Sequence, residues 1–166
     1  AQGSSVTITG TSVDDILEVT GGNASSGIGG YTSSDFKCHS CGDITIENIT
    51  VKATSNPPTI TGGCAAAIGA CGDETVGSIK INKAVVTAIG SGKNAGYVAA
   101  AIGGGMYSST PVQTDFEITI SGSKIYVTKG GSYASYIGVG GSMTRPAGYD
   151  VISTAKITNS TIYNES

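Results

Sequence analysis

The stretch AAAIGGG, residues 99–105, sets three alanines and three glycines around a single large apolar side chain. So little apolar surface cannot hold an amphipathic helix in place, and glycine is a poor helix former. Variants recur as SSGIGG (25–30), AAAIGA (65–70) and SYIGVGG (135–141), with the isoleucine at 28, 68, 102 and 137. Each copy follows two further apolar patterns, always in the same order. The first is apolar-x-Ile: VTI (6–8), ITI (44–46), IKI (79–81), ITI (118–120) and AKI (155–157). Its last isoleucine falls at intervals of 38, 35, 39 and 37 residues. The second is an apolar pair: Leu17/Val19, Ile49/Val51, Ala84/Val86, Ile125/Val127 and Ser160/Ile162. A fixed internal period of this length marks a repeat architecture.

Every pattern alternates apolar with polar or small residues, the two-residue period of a strand, and β-branched side chains dominate. Gly-Gly, Ser-Gly and Asn-Pro-Pro lie between them as turn formers. SVDDILEV (12–19) has the one hint of a helical turn, but Leu17 and Val19 fall in the strand column. Three short strands per repeat predict an all-β fold: a right-handed parallel β-solenoid of about four and a half rungs, with long loops. An antiparallel sandwich, the rival, has no need of such similar repeats. On this reading the small-residue wall lets backbones approach the interior closely. Glycines on either side of the isoleucine supply corners with positive φ. Function is then expected in the variable loops at 31–42, 52–63, 87–98, 105–117 and 141–154.

The chain of 166 residues fits one domain, 1–166, and lacks a signal peptide, as a piece excised from a larger extracellular protein would. It holds 26 Gly and only 13% charged residues, with a formal charge of -3 and no basic run. Nucleic acid is therefore an unfit partner, because neutralising phosphates needs clustered Lys and Arg. No apolar stretch reaches the length of a membrane span. Four cysteines, low charge and Ser/Thr richness point to an extracellular, secreted or cell-surface setting. Sequons stand at Asn23, Asn48, Asn159 and Asn164.

The motifs ITIENITV (44–51), AAAIGGG (99–105) and FEITISG (116–122) resemble repeats in right-handed parallel β-helix domains of secreted or cell-surface proteins. The resemblance covers most of the chain. It implies the solenoid fold and, by analogy, a carbohydrate-binding or adhesin-like module. It also admits polysaccharide lyases, which use calcium held by acids and a basic residue as proton acceptor.

Arg145, the one arginine, has no acid within four residues, and His39 lies inside CHSC without an obvious partner. The sequence therefore names no catalytic residue. Asp35, Asp73, Glu74, Asp115 and Asp150 each fall in a loop after an Ile-Gly strand. The ordinary reading of each is a solvated turn residue. The alternative is calcium held between loops, with Asp73, Glu74 and Asp115 as its ligands; no other cofactor is implied. Cys38, Cys41, Cys64 and Cys71 read as disulfide partners, with zinc as the lesser alternative. Three pairings are open, among them a bridge between rungs, since Cys71 opens the loop above the one holding Cys38 and Cys41. Tyr97, Tyr107, Tyr133 and Tyr136 cluster on the last two full rungs, and Tyr31 takes the equivalent place on the first. A tyrosine offers a flat apolar face and a polar tip to a sugar, or simply shields a rung corner. The outward residues Thr7, Thr45, Lys80, Thr119 and Lys156 form a ladder whose lysines break any ice-like regularity.

The expected function is an extracellular glycan-binding or adhesive module without catalytic activity. Its partners are a polysaccharide or cell-surface glycan and the neighbouring domains of the same protein. A polysaccharide-degrading enzyme, or its remnant, and a passive structural spacer are the alternatives.

Overall fold

The structure, a computed structural model, describes residues 3–33, 37–57, 59, 64–72, 74–94, 97–106, 115–142 and 153–165; for residues 93, 94, 97 and 142 it gives the backbone alone. The described residues form strands and turns and no helix. The first winding carries β1 (Val6–Thr9), β2 (Ile16–Thr20) and β3 (Ile28–Gly29), followed by a small hairpin of β4 (Tyr31–Thr32) and β5 (Cys38–His39). The second carries β6 (Ile44–Glu47), β7 (Thr50–Thr54) and β8 (Ile68–Gly69). In the third, β9 (Ile79–Asn82) and β10 (Val85–Ile89) lead through β11 (Gly92–Asn94) and β12 (Tyr97–Val98) to β13 (Ile102–Gly103). The fourth holds β14 (Phe116–Ser121), β15 (Lys124–Thr128), β16 (Ile137–Gly138) and β17 (Gly141–Ser142). β18 (Ser153–Thr158) and β19 (Thr161–Asn164) begin another.

Three walls result, ordered β1-β6-β9-β14-β18, β2-β7-β10-β15-β19 and β3-β8-β13-β16. Neighbours within each wall pair in parallel, and each strand's partner is its counterpart one winding on. That is a parallel β-solenoid. Counted by windings covered on both sides, it has about three turns. The figure of four and a half from the sequence included the windings open at one end.

The isoleucine columns account for the core. Ile8, Ile46, Ile81, Ile120 and Ile157 stand in register on the first wall, with Val6, Ile44, Ile79, Ile118 and Ala155 beside them. Ile44, Ile46, Ile81, Ile118 and Ile120 are fully buried. Burying each contributes about 1.5–3 kcal/mol over leaving it in water. Between these columns, Thr7, Thr45, Lys80, Thr119 and Lys156 face outward in register.

The second wall corrects the pairing read from the sequence. Leu17, Val51, Val86, Ile125 and Ile162 form one column, and Val19, Ala53, Ala88, Val127 and Asn164 the next. Ile49, Ala84 and Ser160 therefore lie two residues before the places assigned to them. A two-residue slip keeps every side chain on its own face, so alternation alone cannot detect it. These three occupy the first corner, level with Ser123. There the Ser123 hydroxyl accepts from the Ala84 backbone N–H at 3.1 Å, and the Ser160 hydroxyl accepts from that of Ser123 at 3.0 Å. Immediately before them, Asn48, Lys83, Gly122 and Asn159 all take positive φ, at 51°, 48°, 58° and 49°. A left-handed residue at this place turns the chain from the first wall to the second.

The third wall explains AAAIGGG. Ile28, Ile68, Ile102 and Ile137 stack in one column, and the glycines that follow them in another. Those glycines, Gly29, Gly69, Gly103 and Gly138, have φ of 128°, 135°, 127° and 132°. A Cβ on Gly29, Gly69 or Gly103 would also collide with the carbonyl oxygen of the matching glycine one winding on. Only the glycine after the isoleucine is needed in this way. The residue before it is Gly27, Ala67, Ala101 or Tyr136. Ala65–Ala67 and Ala99–Ala101 are fully buried because this wall is covered on its outer side too. Cys64, Ala99 and Met106 form a second apolar cluster there. The Ser91 hydroxyl closes onto the Ala65 carbonyl at 3.1 Å. A wall sandwiched between core and outer layer has room for methyl groups and little more.

Candidate functional site

After β3 the chain reverses at once into the β4–β5 hairpin, whose antiparallel register sets Tyr31 opposite His39 and Thr32 opposite Cys38. The phenol and imidazole rings stack with centroids 4.6 Å apart and planes 13° from parallel. Tyr31 remains 54% exposed in this stack. Beside the stack lies a cleft of about 350 Å³, lined by Gly3, Ser4, Val6, Gly29, Tyr31, His39, Ser40 and Cys41. That volume lies within the range of small-molecule clefts, about 300–1,000 Å³. A second hollow of about 320 Å³ shares Gly3 and Cys41 with it and extends past Asp43 to Val76. The Asp43 carboxylate accepts from the backbone N–H and the hydroxyl of Ser78, at 2.7 and 2.9 Å. These bonds, the backbone one foremost, hold its pKa below the ordinary value.

The tyrosines expected to form a sugar face divide. Tyr97 sits on β12, whose backbone pairs with β17, Tyr97 against Ser142 and Val98 against Gly141. Gly141 is packed directly on the Tyr133 backbone, which brings Tyr133 to this outer sheet. Tyr133 is 55% exposed. Tyr136 is instead partly buried against the core, with the Lys129 ammonium 4.9 Å from its ring centroid. Its carbonyl accepts from Ala101 and Ile102, making it a piece of the third wall. Tyr107 lies outside the described residues. A further pair escaped the sequence reading: Tyr126 and Tyr163 stack across β15 and β19 with centroids 4.8 Å apart. Register would have found it, since both stand between inward residues of adjacent second-wall strands.

Of the acids considered for calcium, Asp73 lies outside the described residues. Glu74 is engaged by Ser40, whose hydroxyl donates to its carboxylate at 2.6 Å. Asp115 is exposed next to the start of β14. Among the described residues no three His, Cys, Asp or Glu side chains converge on one point.

The four cysteines are held as thiols. Cys41 belongs to the main core, and its thiol donates to the Ser4 carbonyl at 3.6 Å. Burial, with the Asp43 charge nearby, pushes that thiol's pKa up. Cys64 packs in the outer cluster with Ala99 and Met106. Cys71 comes to the hairpin, where its thiol and the Thr32 hydroxyl both donate to the Ala24 carbonyl, at 3.1 and 2.7 Å. Ala24 is held at φ 53° by this knot, an unusual conformation for a residue with a side chain.

No protein-family model, no curated protein and no solved structure matches the chain.

Proposed function

We propose that this solenoid is an extracellular glycan-binding or adhesive module without catalytic activity, with the Tyr31–His39 hairpin as its principal contact. The observation that carries the reading is the stacked, half-open aromatic pair at the mouth of the 350 Å³ cleft. A sugar ring lays its apolar C–H face on such a ring, while its hydroxyls reach small polar groups. Ser4 and Ser40, on the same cleft, supply them. Tyr133, packed by its backbone on Gly141 of the outer sheet, is a second exposed aromatic side chain for the same ligand class. The cysteine count and the low charge agree with a secreted or cell-surface setting. The terminal windings are read as seats for neighbouring domains of the same protein, since Ile157, a core-column residue, is 42% exposed there.

The test is retention on insoluble polysaccharides and a glycan array, with and without a calcium chelator. Tyr31→Ala is expected to weaken binding about tenfold, the effect of losing a well-placed aromatic contact. If Tyr133→Ala weakens binding and Tyr31→Ala does not, the contact moves to the outer sheet. If chelator abolishes binding, calcium at Asp73, Glu74 and Asp115 takes part. A chain that binds no glycan is a spacer, and one that releases product is an enzyme.

A further inference from the structure

We propose that Cys38 and Cys71 are a modification site: a reversible disulfide that staples the Tyr31–His39 hairpin to the second winding. The inference is independent of which ligand the hairpin binds. Its geometry follows from the winding. Gly30 donates its N–H to the Gly69 carbonyl at 2.8 Å, continuing the β3–β8 pairing, so the next residues, Tyr31 and Cys71, come alongside. Meanwhile β5 returns antiparallel to β4 and sets Cys38 opposite Thr32. Gly30 makes the meeting possible. A Cβ there would stand 3.0 Å from the Cys71 Cβ and 2.9 Å from the His39 carbonyl oxygen.

The Thr32 hydroxyl consequently touches both thiols, at 3.7 Å from the Cys38 sulfur and 3.0 Å from that of Cys71. Both sulfurs therefore lie within reach of one hydroxyl. The Cys41 thiol donates instead to the Ser4 carbonyl, and Cys64 belongs to the outer apolar cluster with Ala99 and Met106. This holds although the Cys64 backbone lies close to Cys71, its carbonyl accepting from Gly72 at 3.2 Å.

Exposure assigns the order of events. Cys38 is partly exposed and Cys71 buried. The neighbouring Cys38 side chain foremost, and burial after it, hold the Cys71 thiol well above its ordinary pKa. Cys38 is therefore the residue that meets an external oxidant, taken here as a low-molecular-weight disulfide such as oxidised glutathione. The Cys38 thiolate attacks one glutathione sulfur, breaking the glutathione S–S bond and forming a mixed disulfide. With Cys38 held in the mixed disulfide, its thiol no longer raises the Cys71 pKa, and the glutathione thiolate released accepts the Cys71 proton. The Cys71 sulfur then attacks the Cys38 sulfur and expels the second glutathione as a thiolate, which takes from water the proton that Cys38 gave up on forming its thiolate. Two protein thiols lose two electrons and two protons; one glutathione disulfide becomes two thiols.

The test uses the whole chain, fully reduced and then incubated with oxidised glutathione, followed by alkylation, digestion and mass spectrometry. The expected product is a Cys38–Cys71 linked peptide, with the intact chain about 2 Da lighter than the reduced one. Its melting temperature is expected to rise by roughly 10 °C, as for a staple closing a loop of this length. Cys71→Ser should stop at a persistent glutathione adduct on Cys38, and Cys41→Ser should leave the cross-link intact. A Cys38–Cys41 or Cys64–Cys71 linked peptide from the unmutated chain overturns the proposal. So does recovery of all four cysteines alkylated. None of these readouts depends on sugar binding, so the two proposals fail separately.

Discussion

Four glycines and one lysine show how single residues govern the coil. At Gly103 both backbone angle and space forbid a side chain: φ is 127°, and a Cβ would run into the Gly138 carbonyl. Gly103→Ala is expected to destabilise the fold by about 3 kcal/mol or more, read as a fall in the urea midpoint at unchanged slope. Lys83 is the counter-example. It sits at φ 48° in the first-corner column that otherwise holds Asn48, Gly122 and Asn159, with its side chain exposed. Lys83→Gly should stabilise the fold by about 1 kcal/mol in the same measurement, since the lysine bears a left-handed strain that glycine does not. A loss there would mean that the packing of the Lys83 stem on Gly122 outweighs the strain. The need for glycine after each isoleucine was legible in the sequence as a recurring motif. That Lys83 shares a corner with asparagines and a glycine was not, because the corner residue is defined by conformation and not by type.

Between elements, windings are joined by backbone ladders and by a few side chains that reach across. Asp43, just before β6, accepts two hydrogen bonds from Ser78, just before β9. Its carboxyl pKa in the folded state lies below the ordinary 3.8. The sign follows directly: a depressed carboxylate adds stability above the unfolded value and loses it as pH falls through the folded one. Thermal melts from about pH 6 to pH 2 should therefore show the advantage of the native chain over Asp43→Asn constant near neutrality. Below about pH 4 that advantage should shrink. Asparagine keeps an acceptor but cannot ionise, so an advantage independent of pH would remove the charge from the account. The exposed Lys52–Glu18 pair at 2.6 Å, although short, is a surface contact of small value. The alanine runs of the third wall belong to this scale too. Their smallness was plain in the sequence, but its cause, an outer layer formed from residues 64, 91, 99 and 106, needed the folded chain.

As a whole, the molecule is nearly one-dimensional: among the described residues each strand of the walls pairs with its counterparts on the adjacent windings, so stability is greatest where a winding has two neighbours. β6, β9 and β14, with their second-wall counterparts β7, β10 and β15, are covered on both sides. At the far end β18 shows Ile157 at 42% exposure, and at the near end Val6 and Ile8 are only partly buried. Amide exchange should accordingly be slowest through β6, β9 and β14 and fastest in β18, with β1 intermediate because the loop after it is tied to Thr50 of β7 through the Val13 and Asp15 carbonyls. Uniform protection from end to end would mean that the coil opens as a single unit.

What the sequence determined by itself is the winding. Repeated apolar triplets at an interval near 37 residues leave few ways to bury their isoleucines except in stacked columns, and the structure places Ile46, Ile81 and Ile120 side by side. What only the tertiary structure decided is where two-residue shifts fall and which distant side chains meet. Strand alternation is blind to a shift of two, so Ile49 and Ala84 were read into the wrong column. The Tyr31–His39 stack and the gathering of Cys38 and Cys71 about the Thr32 hydroxyl depend on a hairpin turning back beside the next winding. No local pattern encodes that turn, because its partners are chosen by proximity in space across residues far apart in the chain.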